Sequence, residues 1–113
     1  MSERDREILR KIIKYCLDVD LLMQKYSFDE SLYKTDISFQ YACNMCIIQI
    51  GELVSRLSVE FIEANHQIPW YAIKGMRNLH AHDYDRVDLN IVWNTLKEDI
   101  PDLNRKIECI LSK

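Results

Sequence analysis

In Met76-Arg77-Asn78-Leu79-His80-Ala81-His82-Asp83-Tyr84, an arginine, an amide, two histidines and a tyrosine fall within eight consecutive residues, and no other segment is as dense in reactive groups. A guanidinium offers paired donors to a phosphate, and an imidazole titrating near neutrality serves as acid or base. Asn78 suits orienting a phosphate or holding Arg77 in place. Tyr84, read from residue type alone, is an amphipathic aromatic that closes a helix end. A zinc reading of His80, His82 and Asp83 fails on spacing, because helical zinc motifs set their histidines four residues apart. No metal or cofactor is expected. Spacing alone leaves the reaction open.

The other groups with possible chemistry have plainer readings. Cys43-Asn-Met-Cys46 is formally a C-x-x-C pair, yet it has no second ligand pair and no strand-to-helix turn, so buried reduced thiols inside a helix are expected. Cys16 and Cys109 complete the four cysteines. The charged N-terminus lacks an apolar leader and no window approaches a membrane span, which together imply a cytoplasmic protein without membrane association. The formal net charge is −3, so any polyanion must be held by a local patch, for which Arg56, Lys74, Arg77 and Arg86 are candidates. His66 reads as a loop residue. Trp70 and Trp93 read as core anchors.

The elements that must position the motif are helices. With 113 residues, 48% of them apolar, two glycines and two prolines, the chain reads as one all-α domain over 1–113. Ile8, Leu9, Ile12, Ile13, Cys16, Leu17, Val19, Leu21 and Leu22 recur at three- and four-residue steps, which predicts a helix over 3 to about 25. Ser27 with Glu30 resembles a capping box opening a short helix. Thr35 or Asp36 opens a second long helix, in which Gly51 predicts a tight crossing. Val59 to Ala64 forms a short piece, after which Asn65 suits a left-handed cap and Pro69 a helix start. A third helix runs from Trp70 through the motif, with Gly75 again permitting close approach. Asp88 caps a fourth segment that ends at Lys113, in which Pro101 threatens a kink or a break. Four principal helices with short additional ones imply a bundle.

Arg77, four intervening residues, His82, one residue and Tyr84 resemble the R-x-x-x-x-H-x-Y motif of the HepT family of HEPN domains. Ile50-Gly51-Glu52, Arg56-Leu57-Ser58, Ile68-Pro69-Trp70, Gly75-Met76-Arg77-Asn78 and Val87-Asp88 extend the resemblance over nearly the whole chain. It implies a HEPN-type four-helix bundle, usually a homodimer, whose paired motifs form a metal-independent RNA-cleaving site in the toxin of a bacterial toxin–antitoxin pair. It also implies a minimal nucleotidyltransferase antitoxin, able to transfer AMP to Tyr84. Some members carry an aromatic after the tyrosine, where this chain has Asp85.

The residue types can perform such a reaction. Attack of a ribose 2′-oxygen on phosphorus needs a proton acceptor, a proton donor and a cation. His82 is the expected acid or base and Arg77 the charge stabiliser. On a regular helix the two, five residues apart, would point about 140° away from each other, so either the helix ends near His80 to His82 or a second copy completes the site. His80, three residues from Arg77, shares its face better. The resemblance favours His82 and leaves His80 a packed or hydrogen-bonded supporting histidine. The alternative is a non-catalytic HEPN module that binds a nucleotidyltransferase or a nucleotide.

Overall fold

The computed structural model describes residues 1–80 and 88–113, and of Leu79 and His80 the backbone only. Among the described residues the fold is all-α, with no strand. Helix α1 spans Glu3–Lys25, as its periodicity predicts, with Ser2 accepting a hydrogen bond from the Asp5 amide at 3.0 Å. It buries Ile8, Leu9, Ile12, Cys16, Val19 and Met23. Leu17 and Leu21 instead face solvent. They are four residues apart, but each lies five residues beyond a core position, Ile12 or Cys16, which turns them about 140° from the buried row.

The break after α1 differs from the expected capping box. Ser27 and Phe28 adopt left-handed backbone angles, and the Phe28 N–H donates to the Met23 carbonyl at 2.8 Å, so these residues close α1. Asp29 then caps α2 (Glu30–Thr35), accepting from the Leu32 amide at 3.1 Å. Asp36 caps α3 (Ile37–Val54), accepting from the Phe39 amide at 2.9 Å.

Helix α3 is the post on which the motif rests. It packs on α1 along one side and on the 70–80 segment along another, burying Phe39, Cys43, Cys46, Ile47, Ile50 and Gly51. Ser58 caps α4 (Val59–Ala64). Asn65 is not left-handed (φ −130°); its carbonyl accepts from the Trp70 indole N–H at 2.9 Å, locking the loop to α5 (Trp70–Gly75).

The expected third helix is α-helical only to Gly75, and the motif beyond His80 lies outside the described residues. At Met76 the α-helix tightens into a 3₁₀ segment, Met76–His80.

Past the undescribed residues, Asp88 caps α6 (Leu89–Asn94), accepting from the Asn90 amide at 2.9 Å. A π-turn, Thr95–Asp99, joins it to α7 (Ile100–Leu111). Pro101 lies in the first turn of α7, and the widened turn before it accommodates a residue that lacks an N–H and whose ring crowds the preceding carbonyls. Tyr26, Tyr33, Phe39 and Trp93 then fasten α6 to α2 and α3: Tyr26 stacks on Phe39 at 4.2 Å, and Tyr33 meets Phe39 edge-on at 5.4 Å. Trp93 lies 5.8 Å from Tyr33 and 6.3 Å from Phe39. Such pairs contribute about 0.5–1.5 kcal/mol each beyond burial. No helix among the described residues is long and apolar enough to cross a membrane.

Candidate functional site

Gly51 decides where Arg77 stands. A Cβ built on Gly51 would lie 2.7 Å from the Arg77 backbone nitrogen, 3.1 Å from the Ile73 carbonyl oxygen and 3.2 Å from the Arg77 Cα. The two backbones therefore touch, and only a residue without a side chain permits it. The tight crossing expected at Gly51 is present. The matching expectation at Gly75 is not met: a Cβ there would meet nothing within 4 Å among the described residues.

The change from α to 3₁₀ geometry alters the register of the motif. A 3₁₀ helix has three residues per turn, so positions 77 and 80 fall directly above one another. Arg77 is half-buried and Asn78 exposed. Among the described residues, no hydrogen bond or ion pair engages the Arg77 guanidinium. Its situation contrasts with Arg6, Arg10, Lys14, Lys34, Arg105 and Lys106, all held by carboxylates. A half-buried guanidinium that no carboxylate among the described residues engages, on a backbone already fixed, has the donor geometry to take an anionic ligand.

His80 contributes the last described residue of the segment, its side chain lying outside the description. His82, Tyr84 and Arg86 also lie outside the described residues. The meeting of Arg77 with His82, and the position of the Tyr84 hydroxyl, are consequently matters for the proposal below. Of the basic patch, Lys74 shares the α5–3₁₀ element with Arg77, and Arg56 is exposed just past α3.

The segment 70–80 holds one residue that its hydrophobic pattern did not single out. Tyr71 is 92% exposed, although its neighbours Trp70 and Ile73 are buried. In a list of apolar positions it looks like core; a helical projection separates it from Trp70 by about 100° and turns it outward.

The remaining groups do not add to this site. Cys16, Cys43 and Cys46 are buried free thiols, and burial pushes them up to about 12, 12 and 11 respectively, far from the thiolate that redox or metal chemistry needs. Cys109 is exposed. Trp70 and Trp93 are buried, as core anchors should be. His66 is exposed, its Nδ1 3.4 Å from the Glu63 carbonyl oxygen. Asp5 is buried and clasped by Ser58, whose backbone N–H and hydroxyl donate to its two oxygens at 3.0 and 2.6 Å. That clasp ties the start of α1 to the start of α4 and is structural.

The chain resembles known proteins over almost its full length. A family model described as "Ribonuclease HepT-like" matches residues 6–110. The "Putative RNase" of Caldanaerobacter subterraneus subsp. tengcongensis is 31% identical over 108 residues, covering 96% of this chain and 95% of that protein. "Probable ribonuclease HepT" of Thermococcus cleftensis is 29% identical over 108 residues, covering 96% of each chain. The "Gamma-glutamylcyclotransferase and putative RNase" of Methanocaldococcus jannaschii is 31% identical over 110 residues, covering 96% of this chain and 50% of that longer protein. No solved structure matches the chain.

Proposed function

The chain belongs to the HepT-like ribonuclease family, and from that membership we propose that it is the endoribonuclease toxin of a toxin–antitoxin pair, cutting RNA without a metal ion in the cytoplasm. One observation carries the reading on this chain's own residues: Arg77, fixed against Gly51, keeps a guanidinium with no carboxylate on it among the described residues. The match to half of a longer relative supports reading 1–113 as one self-contained domain.

In the proposed reaction a ribose 2′-oxygen attacks the adjacent phosphorus. His82 takes the 2′-hydroxyl proton, the bond from phosphorus to the 5′-oxygen breaks, and the departing oxygen receives a proton from a second imidazole. Arg77 stabilises the charge that builds on the non-bridging oxygens, and Asn78 orients the phosphate. The second imidazole is His82 of another copy, which makes the homodimer the working unit; one motif cannot supply both acid and base from a single histidine. His80 has a supporting role at the same interface. A nucleotidyltransferase antitoxin neutralises the site by AMP transfer to Tyr84: the phenolic oxygen attacks the α-phosphorus of ATP and pyrophosphate leaves. The added phosphate beside Arg77 would repel RNA.

The experiment is cleavage of RNA by the purified protein in the presence of a chelator, with Arg77→Ala and His82→Ala as comparisons. The net charge of −3 favours one other reading, a non-catalytic module that binds the nucleotidyltransferase or a nucleotide. Tight partner binding without RNA cleavage would select it.

A further inference from the structure

We infer that Tyr71 and Lys74 form, with Arg77, a track that receives single-stranded RNA next to the cleavage site, Tyr71 stacking on a base and Lys74 contacting a phosphate. The inference rests on the ribonuclease reading and names two residues that reading does not use.

The first observation is the tyrosine itself. At 92% exposure Tyr71 presents its whole ring to solvent. Among the described residues no hydrogen bond or ring contact involves it. Its outward position is fixed, because Trp70 and Ile73 on the same helix are buried in the core and set the rotation of α5. An aromatic ring carried out into water by a helix of fixed rotation is a stacking platform that every base can use.

The second observation is register. Tyr71, Lys74 and Arg77 follow at steps of three residues, which places them along one side of the α5–3₁₀ element, with Asn78 about 120° further round. With a rise of about 1.5 Å per residue in the α part and about 2 Å in the 3₁₀ part, Tyr71 and Arg77 stand about 10 Å apart along the axis. A stacked strand covers that in about three nucleotide steps of roughly 3.4 Å. Gly75 lies between them, has no side chain of its own, and meets nothing within 4 Å of where a Cβ would sit among the described residues.

The third observation is charge. Segment 70–80 contains Lys74 and Arg77 and no aspartate or glutamate, in a chain whose net charge is −3. No ion pair among the described residues occupies either cation. An acidic protein that binds a polyanion must do so through such a local stripe, and this one runs into the motif.

The test measures binding of a fluorescein-labelled, mixed-sequence 2′-O-methyl oligoribonucleotide, which cannot be cleaved because the attacking oxygen is blocked. Fluorescence anisotropy should show Tyr71→Ala binding about tenfold or more weakly and Tyr71→Phe within about twofold of wild type, since the ring and not the hydroxyl does the stacking. Lys74→Gln should reduce the slope of log affinity against log salt by about 0.7, the contribution of one single-strand phosphate contact. Unchanged affinity in Tyr71→Ala, or no RNA binding by wild type, overturns the inference. Cleavage assays separate it from the reading beneath it: a wild type that cuts RNA, with an unchanged KM in Tyr71→Ala, discards the track and keeps the ribonuclease. Ring-dependent binding by a wild type that never cuts RNA supports the track and discards the ribonuclease. Sedimentation in the absence of RNA guards against a different role, because a dimer that dissociates on Tyr71→Ala would assign the ring to subunit contact and overturn the inference.

Discussion

The backbone nitrogen of Arg77 lies 2.7 Å from where a Cβ on Gly51 would sit, so the motif arginine is positioned by an absent side chain on another helix. The contact belongs to backbone, which cannot swing aside as a flexible side chain can. Alanine at 51 would gain about 1 kcal/mol in helix propensity and lose about 1–3 kcal/mol to overpacking. Gly51→Ala should therefore be neutral to modestly destabilised in urea while RNA cleavage drops about a hundredfold, because misplacing a catalytic group by about 1 Å has that effect. Gly75→Ala supplies the contrast: with nothing within 4 Å of the new Cβ among the described residues, the variant should be about 0.5–1 kcal/mol more stable by the same urea titration.

The Asp5 clasp predicts an acid-sensitive joint. Burial pushes the Asp5 carboxyl up, but the hydrogen bonds from the Ser58 side chain and backbone, with Ser2 and Arg4, outweigh it and hold the group below its ordinary 3.8. A depressed carboxylate stabilises the fold above its unfolded pKa, and that contribution is lost as pH falls through the folded pKa. Stability followed by urea titration should fall below about pH 4 less steeply in Asp5→Asn than in wild type. At neutral pH the variant should be about 1–3 kcal/mol less stable, because the Ser58 donors lose their charged acceptor.

The thiols divide by exposure. Cys16, Cys43 and Cys46 are buried and protonated, with values pushed up to about 12, 12 and 11, whereas Cys109 is exposed. Iodoacetamide at neutral pH should label Cys109 in the native protein and all four cysteines after denaturation, as read by peptide mass spectrometry. Rapid native labelling of Cys43 and Cys46 together would restore a redox or metal reading of that pair.

How much of this was legible beforehand depends on the kind of signal. The limits of α1 and the caps Asp36 and Asp88 follow from local chemistry: apolar periodicity and a carboxylate one turn ahead of free amides. Ser27 with Glu30 satisfies a capping pattern, yet the left-handed turn at Ser27 and Phe28 closes α1 through the Phe28 N–H and leaves the cap of α2 to Asp29. The tightening at Met76 has no local marker, since it occurs where α3 presses on the Arg77 backbone through Gly51. Arg77 and Asn78 were visible as residue types, and the crossing at Gly51 was visible as a glycine in a helix. Their contact was not, because a sequence does not say which two helices cross. Tyr71 carries no sequence signal of its own, because it is an isolated tyrosine outside the motif, and only the helix rotation fixed by Trp70 and Ile73 shows that it faces outward.

The most direct test of the central claim is the rate of RNA cleavage in chelator by wild type, Arg77→Ala and Arg77→Lys, each first shown to be folded by circular dichroism. Wild type should cut. Arg77→Ala should lose about a hundredfold or more, the scale for removing one donor from a developing oxyanion. Arg77→Lys should recover little of it, because an ammonium cannot reproduce the paired guanidinium contacts. Cleavage by Arg77→Ala at the wild-type rate would contradict the account.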